Sequence, residues 1–373
     1  MNKSLRLFAV KGIDIRVHVT FPLILLWAAY QFGMVFGSLS GALFGIVAIS
    51  LLFILVTLHE LGHSFAARMY DVPVKEIILS PIGGVAQLAR MPENPKQEMV
   101  IAIAGPAVNF LMAFLIAAVG FVYGLDLFSL TITFSLAESA TIAALISYVF
   151  ISNIFLAAFN LIPAFPMDGG RILRALLALR LNYSKATDIA ATIGRIVAIL
   201  FGIYGLINGG LFMIFIAFFI FMTAGQEAKY SRFKHSLDGY TVQQAYSASA
   251  YRLHPTYSLE QAKNLTAYTG QQEFPVVDGE WLTGYLTRSA LYQALQSNPS
   301  YLPVSSVMDR QILPVTPDMD LFKVQQRLVA ESRQSLPVVS KSGHYLGVIT
   351  HQLIAQLFQQ VQTPPIVPGT TSS

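Results

Sequence analysis

The chain has 373 residues, of which 54% are hydrophobic and 12% charged, against about 25% charged in an ordinary soluble domain. That is the composition of a membrane protein, with length for two or three domains. The net charge of +4 is too small and too unevenly spread for a nucleic-acid partner, and the absence of cysteine excludes disulfides and thiolate metal sites.

The basic start, MNKSLRLFAVKGIDIR, leads into an apolar run and resembles a signal peptide. A second apolar run follows almost at once across GSLSGA, so cleavage there is not expected. Apolar runs at 18–36, 41–68, 99–123, 139–162, 188–207 and 210–227 predict six transmembrane helices, with both termini on one side. Lysine and arginine decide which side. Lys3, Arg6, Lys11 and Arg16, then Lys75, Arg90 and Lys96, then Arg171, Arg174, Arg180 and Lys185, and finally Lys229, Arg232 and Lys234 all fall on one face. The opposite connections hold none: 31–41, the stretch with Asp126 and Glu138, and the NGG at 208–210. The basic face is therefore expected to be cytoplasmic, with both termini inside. His18, at the start of the first run, reads as an interfacial or gating residue.

The second run, uncharged from Gly41 to Leu58, ends without a break signal in His59, Glu60 and His63. On a continuous helix His59 and His63 lie one turn apart on the same face, so two imidazoles can reach one ion. The pattern is H-E-x-x-H, whose glutamate serves as general base on water at a zinc site. Chance produces five-residue patterns, but ionisable groups closing an apolar span are costly and point to function.

Between the second and third runs, VKEIILSPIGGVAQLAR reads as two short strands around a Pro-Gly-Gly turn that includes Gly83 and Gly84. The local sequence fits equally a surface hairpin and an edge strand that takes an extended peptide by strand addition. The fourth run ends in SNIFLAAFNLIPAFPMDGG, where Asn153 and Asn160, seven apart, share a helix face. Asp168 could cap the helix that follows. It could also be a third zinc ligand, since catalytic zinc keeps three protein ligands and an open position. The topology brings Asp168 to the same membrane face as His59 and His63, and the ligand reading is preferred.

From about Lys229 the composition turns soluble and repeats. FPVVDGEWLTGYLTR at 274–288 corresponds to LPVVSKSGHYLGVITH at 336–351, each half reading as strand, helix, strand, strand, helix. One half alone is too small for a good core. The expected organisation is a membrane domain at 1–228, a linker at 229–240, repeats at 241–298 and 301–362, and a disordered tail at 363–373. The fold class is then a polytopic α-helical membrane protein, with six spans and a short β-hairpin, joined to a soluble α/β pair.

HELGH at the end of a membrane helix, then PIGG, AGPAVNF at 104–110 and NLIPAFPMDGG together resemble the site-2 protease family of intramembrane zinc metalloproteases. The resemblance covers about 10–228. It implies one Zn2+ per chain on His59, His63 and Asp168, with Glu60 activating water. It also implies Asn160 near the scissile carbonyl, and Gly83, Gly84 and Asn153 along the substrate. The partners implied are a membrane protein with a transmembrane segment and the lipid bilayer; homo-oligomers are compatible. The repeat is similar to a tandem pair of cystathionine-β-synthase-type (CBS) domains, which implies a small ligand or a protein contact that modulates activity. Adenylate-binding versions often carry an aspartate after G-x-x-T-x-x, where this chain has Ala290 and Leu353. Two other classes stay open: a zinc-dependent transporter, against which Glu60 argues, and a CBS-gated regulator with an inactive membrane part.

Overall fold

The computed structural model of the chain describes residues 4–81, 83–88, 92–125, 127 and 141–362. The connection with Asp126 and Glu138, the residues Lys3 and Arg90, the first two residues of the fourth predicted span and the tail at 363–373 lie outside the described residues. Two compact units divide the chain, Met1–Lys229 and Tyr230–Ser373.

The first unit begins with strands that charge had hidden. β1 (Ser4–Val10) and β2 (Ile13–His18) form an antiparallel hairpin. Lys11 and Gly12 turn it with φ of 46° and 78°, the positive pair that a two-residue hairpin turn needs. Ile13 and Ile15 are buried while Asp14 and Arg16 face the other way, a period of two. Arg6 pairs with Asp14 at 2.9 Å, and Arg16 with Glu76 at 3.4 Å. β2 runs parallel to β3 (Val74–Ser80), which pairs antiparallel with β4 (Gly83–Leu88). The predicted hairpin is therefore half of a four-stranded sheet in the order β1-β2-β3-β4, with β4 at one edge.

The first apolar run is shorter than expected. Residues up to His18 are spent on β2, and Gly37, in the left-handed region at φ 61°, closes α1 (Phe21–Phe36) after 16 residues. At about 1.5 Å per residue that is roughly 24 Å, less than the hydrocarbon thickness of about 30 Å. Among the described residues 5 helices are long and apolar enough to cross a membrane. They are α2 (Leu39–Arg68), α3 (Pro95–Val122), α4 (Ile142–Asn160), α6 (Tyr183–Ile207) and α7 (Leu211–Ser236). Their outward faces carry Phe114, Phe121, Leu206 and Phe212, all exposed. A soluble surface would not present so much large apolar area; lipid accepts it. Together these features make a multi-pass membrane protein. Between α4 and α6 the short helix α5 (Asp168–Ala178) lies among the spans without crossing.

The long helices start where sequence chemistry says they should. Ser38 caps α2 by accepting from the Gly41 N–H at 3.1 Å, and Asn94 caps α3 through the Lys96 N–H at 3.1 Å, with Pro95 in the first turn. Asn182 does the same for α6 at 2.8 Å.

The second unit holds two similar halves. The first contains α8 (Leu259–Ala267), β5 (Glu273–Asp278), β6 (Trp281–Thr287) and α9 (Arg288–Ser297). The second contains α10 (Leu321–Ala330), β7 (Ser335–Val339), β8 (Tyr345–Thr350) and α11 (His351–Gln362). The leading strand expected in each half shrinks to single bridging residues, Leu253 beside Val276 and Val315 beside Val338, both parallel. Each half has its own core, one around Phe274, Leu286 and Leu291, the other around Leu336, Val338 and Ile349.

Candidate metal centre

Helical spacing brings the two histidines together as the sequence requires. Both lie in the last turns of α2, 4% exposed, with ring centroids 4.7 Å apart and nearly perpendicular planes. The third donor comes from 105 residues later in the chain. Asp168 is the first residue of α5, and it does not cap the helix; Met167 holds that position. Its carboxylate turns instead to the imidazoles. Oδ2 lies 3.2 Å from His59 Nε2 and 3.2 Å from His63 Nε2, and the two Nε2 atoms are 3.1 Å apart.

That triangle can be tested against zinc. Ligand bonds of about 2.0–2.1 Å in a tetrahedron put neighbouring donors about 3.3 Å apart. Three lone-pair atoms at this spacing, all buried, repel one another unless a cation joins them. The tautomer agrees. His63 Nδ1–H donates to the Ile101 carbonyl at 2.7 Å, which leaves Nε2 as the lone-pair atom. His59 Nδ1 has no hydrogen-bond partner among the described residues.

The neighbouring backbone is shaped to this cluster. A Cβ at Gly105 of α3 would stand 2.2 Å from His63 Nε2 and 2.8 Å from a carbon of the His59 ring, so only glycine lets α3 pass the imidazoles. A Cβ at Gly169 would strike the carbonyls of Leu161 and Ile162 at 2.3 Å. The glycine after Asp168 therefore lets α5 start hard against the preceding loop. These constraints escaped the sequence reading, although the small residue in AGP and the paired glycines after Asp168 were their signal.

Glu60, half-buried, lies beside the ligands on α2. A Cβ at Gly84 would meet Glu60 Cγ at 3.0 Å and Val56 Cγ1 at 2.9 Å, so the backbone of edge strand β4 runs directly over the Glu60 stem. Gly83, at φ 136°, has open space around it. Asn160 is the last residue of α4 and half-buried. Asn153 is fully buried and donates through Nδ2 to the Asn109 carbonyl of α3 at 2.6 Å, tying α4 to α3.

A zinc metalloprotease of Methanocaldococcus jannaschii is 30% identical to this chain over 350 residues, covering 94% of each. The chain belongs to peptidase family M50, the site-2 protease family. The profile of that family matches residues 47–201, and a CBS domain matches 304–358. The solved site-2 protease of M. jannaschii aligns with 38% identity at a TM-score of 0.42, over 60% of this chain and 95% of that one. The protein is thus a zinc metalloprotease with a CBS domain, and His59, His63 and Asp168 are the donors able to hold its metal.

A cleft also lies in the second unit. It has a volume of about 340 Å³ and is lined by Tyr285, Thr287, Ala290, Asp309 and Arg333 among others. Arg333 and Asp309 pair there at 2.9 Å. The Gln311 backbone N–H and then Arg333 hold the Asp309 carboxyl below the usual carboxylate range. Thr287 and Thr350 cap the helices that follow, accepting from the N–H groups of Ala290 and Leu353 at 3.1 Å.

Gly105→Ala provides a test that leaves every ligand in place. The added methyl should push the imidazoles apart and weaken zinc binding by about 10–100-fold, the usual loss when ligand support is disturbed. Metal content after dialysis against a graded chelator measures it; parental affinity would mean that the rings move aside freely.

Proposed function

We propose that this M50 protease cleaves peptide bonds in or near transmembrane segments of membrane proteins. The observation that carries the reading is the donor triangle at the end of an apolar helix, with β4, an edge strand among the described residues, beside Glu60. Zinc supplies Lewis acidity, polarising a peptide carbonyl and making water nucleophilic near neutral pH. Glu60 accepts the proton of that water and delivers it to the leaving amine. Asn160 holds the developing oxyanion, and Gly83 and Gly84 keep β4 free of side chains where an extended substrate pairs with it. Asn153 contributes by fixing α4 against α3 along the substrate path.

The chain divides functionally into a membrane protease at 1–228, a linker at 229–240, CBS repeats at 241–298 and 301–362, and a tail at 363–373. α1 serves as the sixth span, with local bilayer thinning and snorkelling of its flanking residues making up its shortfall. The lysine and arginine distribution supports cytoplasmic termini and a cytoplasmic CBS pair. The CBS pair modulates proteolysis in response to a small ligand or a protein contact.

Glu60→Gln should keep zinc and helical content but lose cleavage of a co-expressed single-span substrate by about 10²–10⁴-fold, the usual share of a general base. Near-parental cleavage would remove Glu60 from the mechanism. Orientation is checked by cysteine labelling, which is clean because the parent has no cysteine. His235→Cys, at an exposed position, should react with an impermeant maleimide only from the cytoplasmic side. Calorimetric titration of the full chain with AMP and ATP should show binding weakened by about 1–3 kcal/mol relative to adenylate-binding pairs, or one to two decades of affinity. Ala290 and Leu353 offer no carboxylate to ribose hydroxyls, so low-micromolar binding would mean that other groups replace it.

A further inference from the structure

Arg174 is an arginine inside the membrane unit that is 4% exposed, so its engagement needs a reason. It lies on α5, six residues after Asp168. Nε donates to Glu98 Oε1 at 2.8 Å, Nη2 bonds the same carboxylate, and Nη1 bonds Glu227. The guanidinium also sits 4.9 Å from the ring centroids of both Phe165 and Tyr183. One planar cation therefore joins α5 to α3 through Glu98, to α7 through Glu227 and to α6 through Tyr183, and packs on the loop before α5 through Phe165. Burying such charges adds little net stability, because well-packed apolar side chains of similar volume do as well. What the charges add is direction: bonds at fixed angles in one plane set the position of one helix against another.

The two helices it joins most tightly are the two that meet the α2 histidines. On α3, Ile101 lies three residues after Glu98 and its carbonyl orients His63; Gly105 touches both imidazoles four residues further on. On α5, Asp168 supplies the third donor. At about 1.5 Å per residue, the clamp stands roughly 9 Å along α5 from Asp168 and roughly 4.5 Å along α3 from Ile101. A slip of either helix by a fraction of an ångström would carry straight into the 3.1–3.2 Å spacing of the donors.

We propose that Arg174 is a positioning residue of the metal centre: its bonds to Glu98 and Glu227 fix α3 and α5 so that Asp168 meets His59 and His63 at ligand distance. The proposal rests on the reading of those three residues as the zinc ligands.

Cobalt(II) substitution tests both, because its visible absorption reports ligand geometry without any turnover. The first control is the parent against Asp168→Ala. If the parent shows no tetrahedral cobalt bands, or Asp168→Ala leaves them unchanged, the ligand assignment fails and the clamp with it. Given that control, the decisive chain carries Arg174→Gln and Glu98→Gln together, which removes both fully buried charges and leaves only the partly exposed Glu227 without its arginine. Its bands should shift, and zinc dissociation should rise by about 10–100-fold, as for loss of supporting contacts around ligands. Arg174→Lys should not restore the parental spectrum, since an ammonium cannot bond two carboxylates while lying flat between two rings. Unmoved bands and zinc affinity in the folded double variant would overturn the clamp alone. Should the double variant fail to fold, Glu227→Gln decides. That side chain is 36% exposed and can be neutralised in place; an unaltered spectrum there would overturn the proposal and a shifted one would sustain it.

Discussion

Two imidazole nitrogens and a carboxylate oxygen, mutually 3.1–3.2 Å apart and buried in an apolar bundle, form the arrangement on which the membrane unit depends. Without a cation it is unfavourable, since each lone pair has lost its water and faces another lone pair. The chain must therefore bring distant segments together and hold them against that repulsion. Helical periodicity does the first part cheaply, because residues four apart on α2 already share a face. The rest is tertiary. α3 passes close enough that only Gly105 fits, and the Ile101 carbonyl turns His63. α5 begins at Asp168 because Gly169 lets it start against the loop carbonyls of Leu161 and Ile162.

The metal-donor cluster was legible in the sequence, two of its members because their spacing is local and the third through topology. His59, Glu60 and His63 occupy one turn and a bit of helix, and Asp168 follows a helix-ending run of prolines, so topology could assign it a membrane face. The N-terminal sheet was not legible for a physical reason. Arg6, Asp14 and Arg16 alternate with apolar residues, but their charge suggests a solvated arm until Asp14 and Arg16 find Arg6 and Glu76 across strands. The predicted first span at 18–36 ends where α1 ends and starts three residues early, since His18 closes β2 and α1 begins at Phe21. Arg174 was read for topology alone. Its partners Glu98 and Glu227 are 76 and 53 residues away, beyond any local pattern.

In the second unit, legibility came from duplication. Two stretches that repeat the same pattern, offset by 62 residues at Phe274 and Leu336 and by 63 at Thr287 and Thr350, are expected to share a fold, so each strand and helix in one half predicts its counterpart. Duplication does not say how much strand will form. Leu253 and Val315 each make a bridge beside β5 and β7, and neighbouring residues do not extend it. The threonine in the shared G-x-x-T pattern has a local duty whatever the ligand: Thr287 and Thr350 each accept from a backbone N–H of the following helix. Thr287 and Thr350 are therefore accounted for by helix capping, while Ala290 and Leu353 pack against the cores of their halves.

The proposed reaction places a demand on the sheet that the metal cannot meet. A membrane helix keeps every amide bonded internally, and an unpaired peptide group in an apolar medium forfeits about 4–6 kcal/mol of hydrogen bonding. Opening a few residues of substrate into lipid is therefore prohibitive. An edge strand changes the comparison: each bond broken in the substrate helix is exchanged for one across the strand pair, so the net change per group falls toward the roughly 1 kcal/mol scale of ordinary exchanges. β4 is such an edge, and its Gly84 backbone lies against the stem of Glu60. On the proposed reaction, the strand that would accept unwound peptide thus packs on the stem of the residue that would accept the proton. In this arrangement, pairing with β4 would both stabilise the unfolded segment and bring its carbonyl carbon toward the donor cluster of His59, His63 and Asp168.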